Sequence, residues 1–113
     1  MTARITRTEL KSLLDAGARL TVAEALPEKY YRHSHLPGAV NLPLDRLEEI
    51  AAERFPARDA AVVVYCADIT CRNSDQAAER LAALGYTDVR VYAEGKKDWI
   101  EAGLPVETGL RAA

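Results

Sequence analysis

Ala60-Ala61-Val62-Val63-Val64-Tyr65-Cys66 is the stretch on which the fold turns. Residues 60–65 form an unbroken apolar run, β-branched at its centre, with polar loop residues on both sides. A strand with one wet face alternates polar and apolar residues. An unbroken run implies burial on both faces, the habit of a central strand in a parallel sheet. Cys66 then falls directly at the C-terminal end of that strand. In open α/β sheets the ligand crevice lies outside the carboxyl ends of the strands, so this cysteine stands where chemistry is expected.

Downstream, Cys71 to Asp75 leads into Gln76-Ala77-Ala78-Glu79-Arg80-Leu81-Ala82-Ala83-Leu84, a strong helix former stopped by Gly85. Val89-Arg90-Val91-Tyr92 reads as a strand, and Gly95 to Ala102 as a short helix stopped by Gly103, with Pro105 beyond. Upstream, Thr6 and Glu9 have capping-box spacing ahead of Leu10, Leu13 and Leu14, which predicts a helix over about residues 7–16. Leu20 to Ala23 reads as a strand, Pro27 to Tyr31 as a short helix, His33 to Gly38 as a loop, and Ala39 to Leu42 as a brief strand. Leu44, Leu47, Ile50 and Ala51 recur at helical period, and that helix should end near Phe55-Pro56. Strands alternating with helices predict an α/β fold, a parallel sheet with helices on both faces.

The chain has 113 residues, 49% of them hydrophobic, which suits a single domain over 1–113 with one continuous core. Fifteen basic and seventeen acidic residues are interspersed, for a net charge of −2, and no basic face for nucleic acid is evident. Residues 1–7 hold no apolar leader core, and no run approaches the ~18 apolar residues of a membrane span. The expectation is a soluble cytoplasmic protein without membrane or nucleic-acid partners; nothing in the sequence specifies an oligomeric state. Cys66 and Cys71 sit five positions apart, too near each other to staple distant parts of a secreted fold. In a reducing compartment such a pair is catalytic, redox-active or metal-binding.

Two local effects favour a Cys66 thiolate: amides of a loop entering a helix, and the partial positive charge of the helix N-terminus. Arg72 can add a full charge. The opposing reading makes Cys66 a small buried apolar residue closing the strand. Cys71 has two readings as well, a resolving thiol that attacks a modified Cys66 or a loop residue turned inward to pack. His33 and His35 have ligand chemistry, but their spacing with the cysteines does not suit a zinc finger; His35 reads rather as fixing its loop by hydrogen bonds, and no metal or cofactor is called for. Tyr30, Tyr31 and Trp99 read as packing residues with polar handles. Lys96 and Lys97 read either as steering an anionic substrate or as a solvated helix start.

These residues resemble a known family. His35-Leu36-Pro37-Gly38-Ala39-Val40-Asn41-Leu42-Pro43 is similar to the HIPGAINIP element of rhodanese-like domains, and Val63-Val64-Tyr65-Cys66 to the strand leading into that family's active loop. Ala77-Ala78 through Leu84-Gly85-Tyr86, Glu94-Gly95 with Trp99, and Ala102-Gly103-Leu104-Pro105-Val106 follow the family's last third in order and spacing. The resemblance runs from about Thr6 to Glu107. It implies a rhodanese-like fold with a central five-stranded parallel sheet. It also implies a sulfurtransferase in which Cys66 takes a sulfane sulfur from a donor such as thiosulfate, holds it as a persulfide and passes it to a thiol acceptor, of small molecule or protein. By carry-over, Cys66 is the nucleophile with Arg72 and Cys71 as catalytic companions. Ala67, Asp68, Ile69, Thr70, Asn73 and Ser74, with His35, would bind the substrate, the amides of 67–72 forming a cradle.

Three departures from the family pattern stand out. The basic residue usual five positions after the cysteine is here Cys71, with Arg72 one later, and the helix-start alanines come about two positions late. That Cys-x5-Arg spacing resembles rhodanese-fold phosphatases and arsenate reductases, a second candidate activity; a non-catalytic sensing or binding module is a third. The usual Asp-Val-Arg of the second strand is Glu24-Ala25-Leu26, with Glu24 a candidate acidic partner. The usual double glycine is Glu94-Gly95.

Overall fold

The computed structural model describes residues 3–109. Five parallel strands, β1 (Ala3–Arg4), β2 (Thr21–Glu24), β3 (Val40–Asn41), β4 (Ala61–Tyr65) and β5 (Asp88–Tyr92), stand side by side in the order β1-β5-β4-β2-β3. The helices are α1 (Arg7–Asp15), α2 (Glu28–His33), α3 (Leu47–Arg54), α4 (Asn73–Ala83) and α5 (Gly95–Glu101), and a 3-10 turn at Leu44–Arg46 precedes α3. The apolar run is the middle strand. β4 pairs with β2 on one side and β5 on the other, Val63 lying opposite Val22 and Arg90.

Burial on both faces follows the two-residue period of a strand. Val62 and Val64 join Leu47 and Ala51 of α3 and Ala77, Ala78 and Leu81 of α4 in one core layer. Val63 and Tyr65 join Leu10 of α1, Tyr31 of α2 and Trp99 of α5 in the other. Each fully buried large side chain removes enough apolar surface from water for about 1.5–3 kcal/mol. The α/β fold with helices on both faces is therefore the fold expected from the residues.

Several element bounds shift by one or two residues, one strand is unforeseen, and one helix starts early. β1 has only two exposed residues, too short to show alternation, and is held by pairing with β5 and by the Ile5 amide donating to the Val91 carbonyl at 3.0 Å. Helix α4 starts at Asn73, three residues before the alanine-rich stretch suggests. Arg72 provides no side-chain cap there. The start is fixed instead by a long-range contact, the Asn73 side-chain amide donating to the Ala25 carbonyl at 3.0 Å. At α1 the capping box is present as the sequence indicates, Thr6 Oγ1 accepting from the Glu9 amide and Glu9 Oε1 from the Thr6 amide. No helix among the described residues is long and apolar enough to cross a membrane.

Candidate active site

Cys66 follows the last residue of β4, and its residue surface is 1% exposed. Its sulfur lies at the first turn of α4, with the Ser74 hydroxyl 3.3 Å away. Cys66 and Cys71 are paired as a disulfide, their Cα atoms 6.3 Å apart. A sulfur in that bond carries no hydrogen, so the hydroxyl is the donor.

A tight turn brings Cys71 back over Cys66. An extended five-residue segment would span roughly 17 Å. Here the Cys71 amide donates to the Asp68 carbonyl at 3.1 Å, closing a four-residue turn. Asp68 Oδ1 accepts from the Thr70 amide at 2.9 Å and from the Thr70 hydroxyl at 2.6 Å, the short polar side chain mimicking a backbone turn. Those Thr70 bonds, hydroxyl first, hold the Asp68 carboxyl below its ordinary range. Two of the six amides expected to cradle substrate, those of Thr70 and Cys71, are thus occupied within the loop. The amides of Ala67, Asp68, Ile69 and Arg72 have no acceptor among the described residues.

Helix α5 grips the same loop from the side. The Lys96 amide donates to the Cys66 carbonyl and the Lys97 amide to the Ala67 carbonyl, each at 2.9 Å. This approach requires a residue without a side chain at 95. A Cβ there would stand 2.6 Å from the Cys66 carbonyl oxygen, and Gly95 has φ +73°, a region costly to other residues. The family-like Glu94-Gly95 element is therefore a backbone contact with the cysteine loop.

Outside the sulfurs lies a cleft of about 230 Å³ at the carboxyl ends of the strands, lined by Arg4, Ile69, Cys71, Arg72, Ser74, Asp75, Ala93 and Glu94. Arg4 and Asp75 pair across it at 3.5 Å. Arg72 is exposed at its lip and makes no ion pair among the described residues. Ile69 is 65% exposed at the tip of the loop. Cys66, Ala67, Asp68, Ile69, Thr70, Cys71, Arg72, Asn73 and Ser74 are thus brought together in one loop and helix start, although the Asn73 side chain is turned to Ala25 rather than to the cleft.

His35 is placed away from this cleft, where it braces the proline-glycine loop. It is fully buried, its ring stacked on Tyr31 at 3.8 Å between centroids, with Nδ1 2.8 Å from the Tyr31 carbonyl. Its amide and carbonyl pair with those of Glu107 at 2.9 and 2.8 Å, tying the proline-glycine loop to the C-terminal segment. A side chain so enclosed fixes the loop and is not among the cleft residues.

Lys96 satisfies neither sequence reading, because its ammonium is turned inward. It lies 3.2 Å from the carboxylate of Glu24, which is fully buried at the end of β2, and donates to the carbonyls of Ser34 at 2.7 Å and Tyr30 at 3.1 Å. Glu24 also accepts from the Tyr65 hydroxyl at 2.8 Å, and that hydroxyl accepts from the Leu36 amide at 3.0 Å. Burial raises the Glu24 carboxyl above its ordinary range against the opposing pull of Tyr65 and Lys96. Burial, then the neighbouring Glu24 charge, pushes the Tyr65 phenol well above its own. The available signal was Glu24 itself, since an acid closing a buried strand needs a countercharge.

The chain belongs to the rhodanese-like domain family, which it matches over residues 6–102. It is 35% identical over 105 residues to the HTH-type transcriptional regulator Rv0324 of Mycobacterium tuberculosis, covering 93% of this chain and 45% of the regulator. It is 41% identical over 73 residues to the thiosulfate sulfurtransferase PspE of Escherichia coli, covering 65% of this chain and 66% of that protein. The crystal structure of a thiosulfate sulfurtransferase from Pseudomonas aeruginosa superposes with a TM-score of 0.85 at 31% identity, covering 96% of this chain and 20% of that one. The chain thus spans about half of the regulator and two thirds of PspE. The five-stranded parallel sheet implied by the family resemblance is the sheet observed.

Proposed function

We propose that this chain is a sulfurtransferase that takes a sulfane sulfur from thiosulfate or a persulfide donor onto reduced Cys66 and hands it to a thiol acceptor in the cytoplasm. The observation that carries the reading is the placement of the Cys66 sulfur at the first turn of α4, under a cleft with Arg72 at its lip. The helix dipole and the Ser74 hydroxyl favour the thiolate over the thiol, and the thiolate is the nucleophile. It attacks the outer sulfur of thiosulfate; a Cys66–S bond forms, the bond to the sulfonate sulfur breaks, and sulfite leaves with that electron pair. The persulfide anion so formed is stabilised by amides with no other acceptor, as preorganised donors stabilise an oxyanion. Arg72 attracts the anionic donor with its forked N–H groups.

The Cys-x5-Arg spacing weighs little toward phosphate or arsenate chemistry. The residue that widens the loop is Cys71, bonded to Cys66, and a cysteine pair suits thiol and sulfane-sulfur exchange, chemistry that phosphate hydrolysis does not use. A second reading, a non-catalytic sensing module, is favoured by the similarity to a transcriptional regulator. Reduced protein given thiosulfate and cyanide decides between them. Sulfite or thiocyanate release that disappears on Cys66→Ser supports transfer; absence of both from the wild type leaves the sensing module.

A further inference from the structure

We infer that Cys71 is a resolving thiol that discharges the Cys66 persulfide inside the site, so that this chain reduces sulfane sulfur to hydrogen sulfide at the expense of an external dithiol. The inference rests on the proposed loading of Cys66. It goes further in naming the first acceptor as a residue of the chain itself and the product as sulfide.

Three observations point this way. The Asp68–Cys71 turn folds the loop back so that the two sulfurs are bonded, which puts Cys71 within reach of Cys66. Cys66 is 1% exposed while Cys71 is half-buried in the cleft wall, so an acceptor from solution meets Cys71 before it meets Cys66. The loop is clamped at its base by α5 through the Lys96 and Lys97 amides, and its turn by Asp68 and Thr70, which keeps the second thiol in reach. A thiol held at such range acts at an effective concentration that millimolar external thiols do not match.

The step balances without an added oxidant. The Cys71 thiol gives its proton to the outer sulfur of the persulfide anion and its thiolate attacks Cys66 Sγ; the Cys71–Cys66 bond forms, the Cys66–sulfane bond breaks, and the sulfane sulfur leaves as hydrosulfide with the bond's electron pair. The disulfide left behind is the state of the structure. An external dithiol then reduces it by two exchange steps, becoming a disulfide itself and restoring both thiols.

The test is anaerobic intact-mass spectrometry of fully reduced protein given thiosulfate without further reductant, with sulfite and sulfide measured in parallel. Wild type is expected to release roughly one sulfite and one sulfide per chain and to end about 2 Da lighter, as the disulfide. Cys71→Ser, or Cys71→Ala should the serine variant not fold, is expected to release sulfite, hold an adduct of about +32 Da and yield less than a tenth of the sulfide. Wild type that releases sulfite and retains the +32 Da adduct would overturn the resolving role while leaving sulfur transfer intact. Wild type that releases neither sulfite nor sulfide would overturn both.

Discussion

Gly95→Ala probes the contact between α5 and the cysteine loop. The added Cβ would stand 2.6 Å from the Cys66 carbonyl oxygen, 2.9 Å from the Asp68 nitrogen and 3.0 Å from the Ala67 carbonyl carbon, all of them backbone atoms without a rotamer to escape into. The φ of +73° adds about 1–2 kcal/mol for a residue with a side chain. Crowding of a packed contact adds about 1–3 kcal/mol. Gly103 separates the two effects, since its φ is +76° and a Cβ there meets nothing within 4 Å. Gly103→Ala should lose only the first contribution, and Gly95→Ala roughly 2–5 kcal/mol, by urea unfolding at constant m. The clash relaxes only by pushing residues 66–68 outward, and a displacement approaching 1 Å costs on the order of 10²-fold in rate. Gly95→Ala should therefore lose sulfite release from thiosulfate, measured on folded protein below the unfolding transition, while Gly103→Ala keeps it. Equal stability losses in the two variants with undiminished turnover in Gly95→Ala would refute the contact.

Lys96→Met strips the countercharge from Glu24 and should cost about 3–5 kcal/mol near pH 8, as breaking a buried ion pair does. Because burial raises the Glu24 carboxyl, the native state holds that proton more tightly than the unfolded chain; the stability this gives is complete below the ordinary value of 4.5 and is lost as pH rises through the raised one. The variant's deficit should accordingly shrink toward pH 4.5 in denaturation series, and a deficit that stays flat would speak against the pair. Tyr65→Phe leaves the Leu36 amide without an acceptor and Glu24 with Lys96 as its remaining donor, for an expected loss of about 1–3 kcal/mol in the same assay. Ser74→Ala removes the hydroxyl beside the Cys66 sulfur and should slow alkylation of the reduced protein by iodoacetamide near pH 6 roughly tenfold. An unchanged rate would mean the hydroxyl does nothing for the thiolate.

Much of this fold is visible in the residues because the elements that matter are locally consistent. The Ala60–Tyr65 run announces a central strand through burial on both faces, and Thr6 with Glu9 announces α1 through hydrogen bonds three residues apart. What stays hidden is held by partners distant in sequence. β1 is two residues that become a strand only beside β5, and α4 begins at Asn73 because its side chain reaches Ala25, 48 residues away. The same distinction runs through the site. Cys66, Cys71 and the loop between them are contiguous, so their meeting needs only the Asp68 turn. The Glu24–Lys96 pair joins residues 72 positions apart, and spacing alone cannot show which lysine turns inward. His35 reads from the sequence both as a substrate contact and as a brace of its loop, and the fold uses it as a buried brace against Tyr31 and Glu107.

The central claim, that Cys66 is the atom that takes the sulfur, is tested most directly with thiosulfate labelled at its outer sulfur and peptide mapping under non-reducing conditions. In Cys71→Ser the label is expected on the peptide carrying Cys66, and none is expected anywhere in Cys66→Ser. Label that persists in Cys66→Ser, or that never enters the protein, would contradict the account.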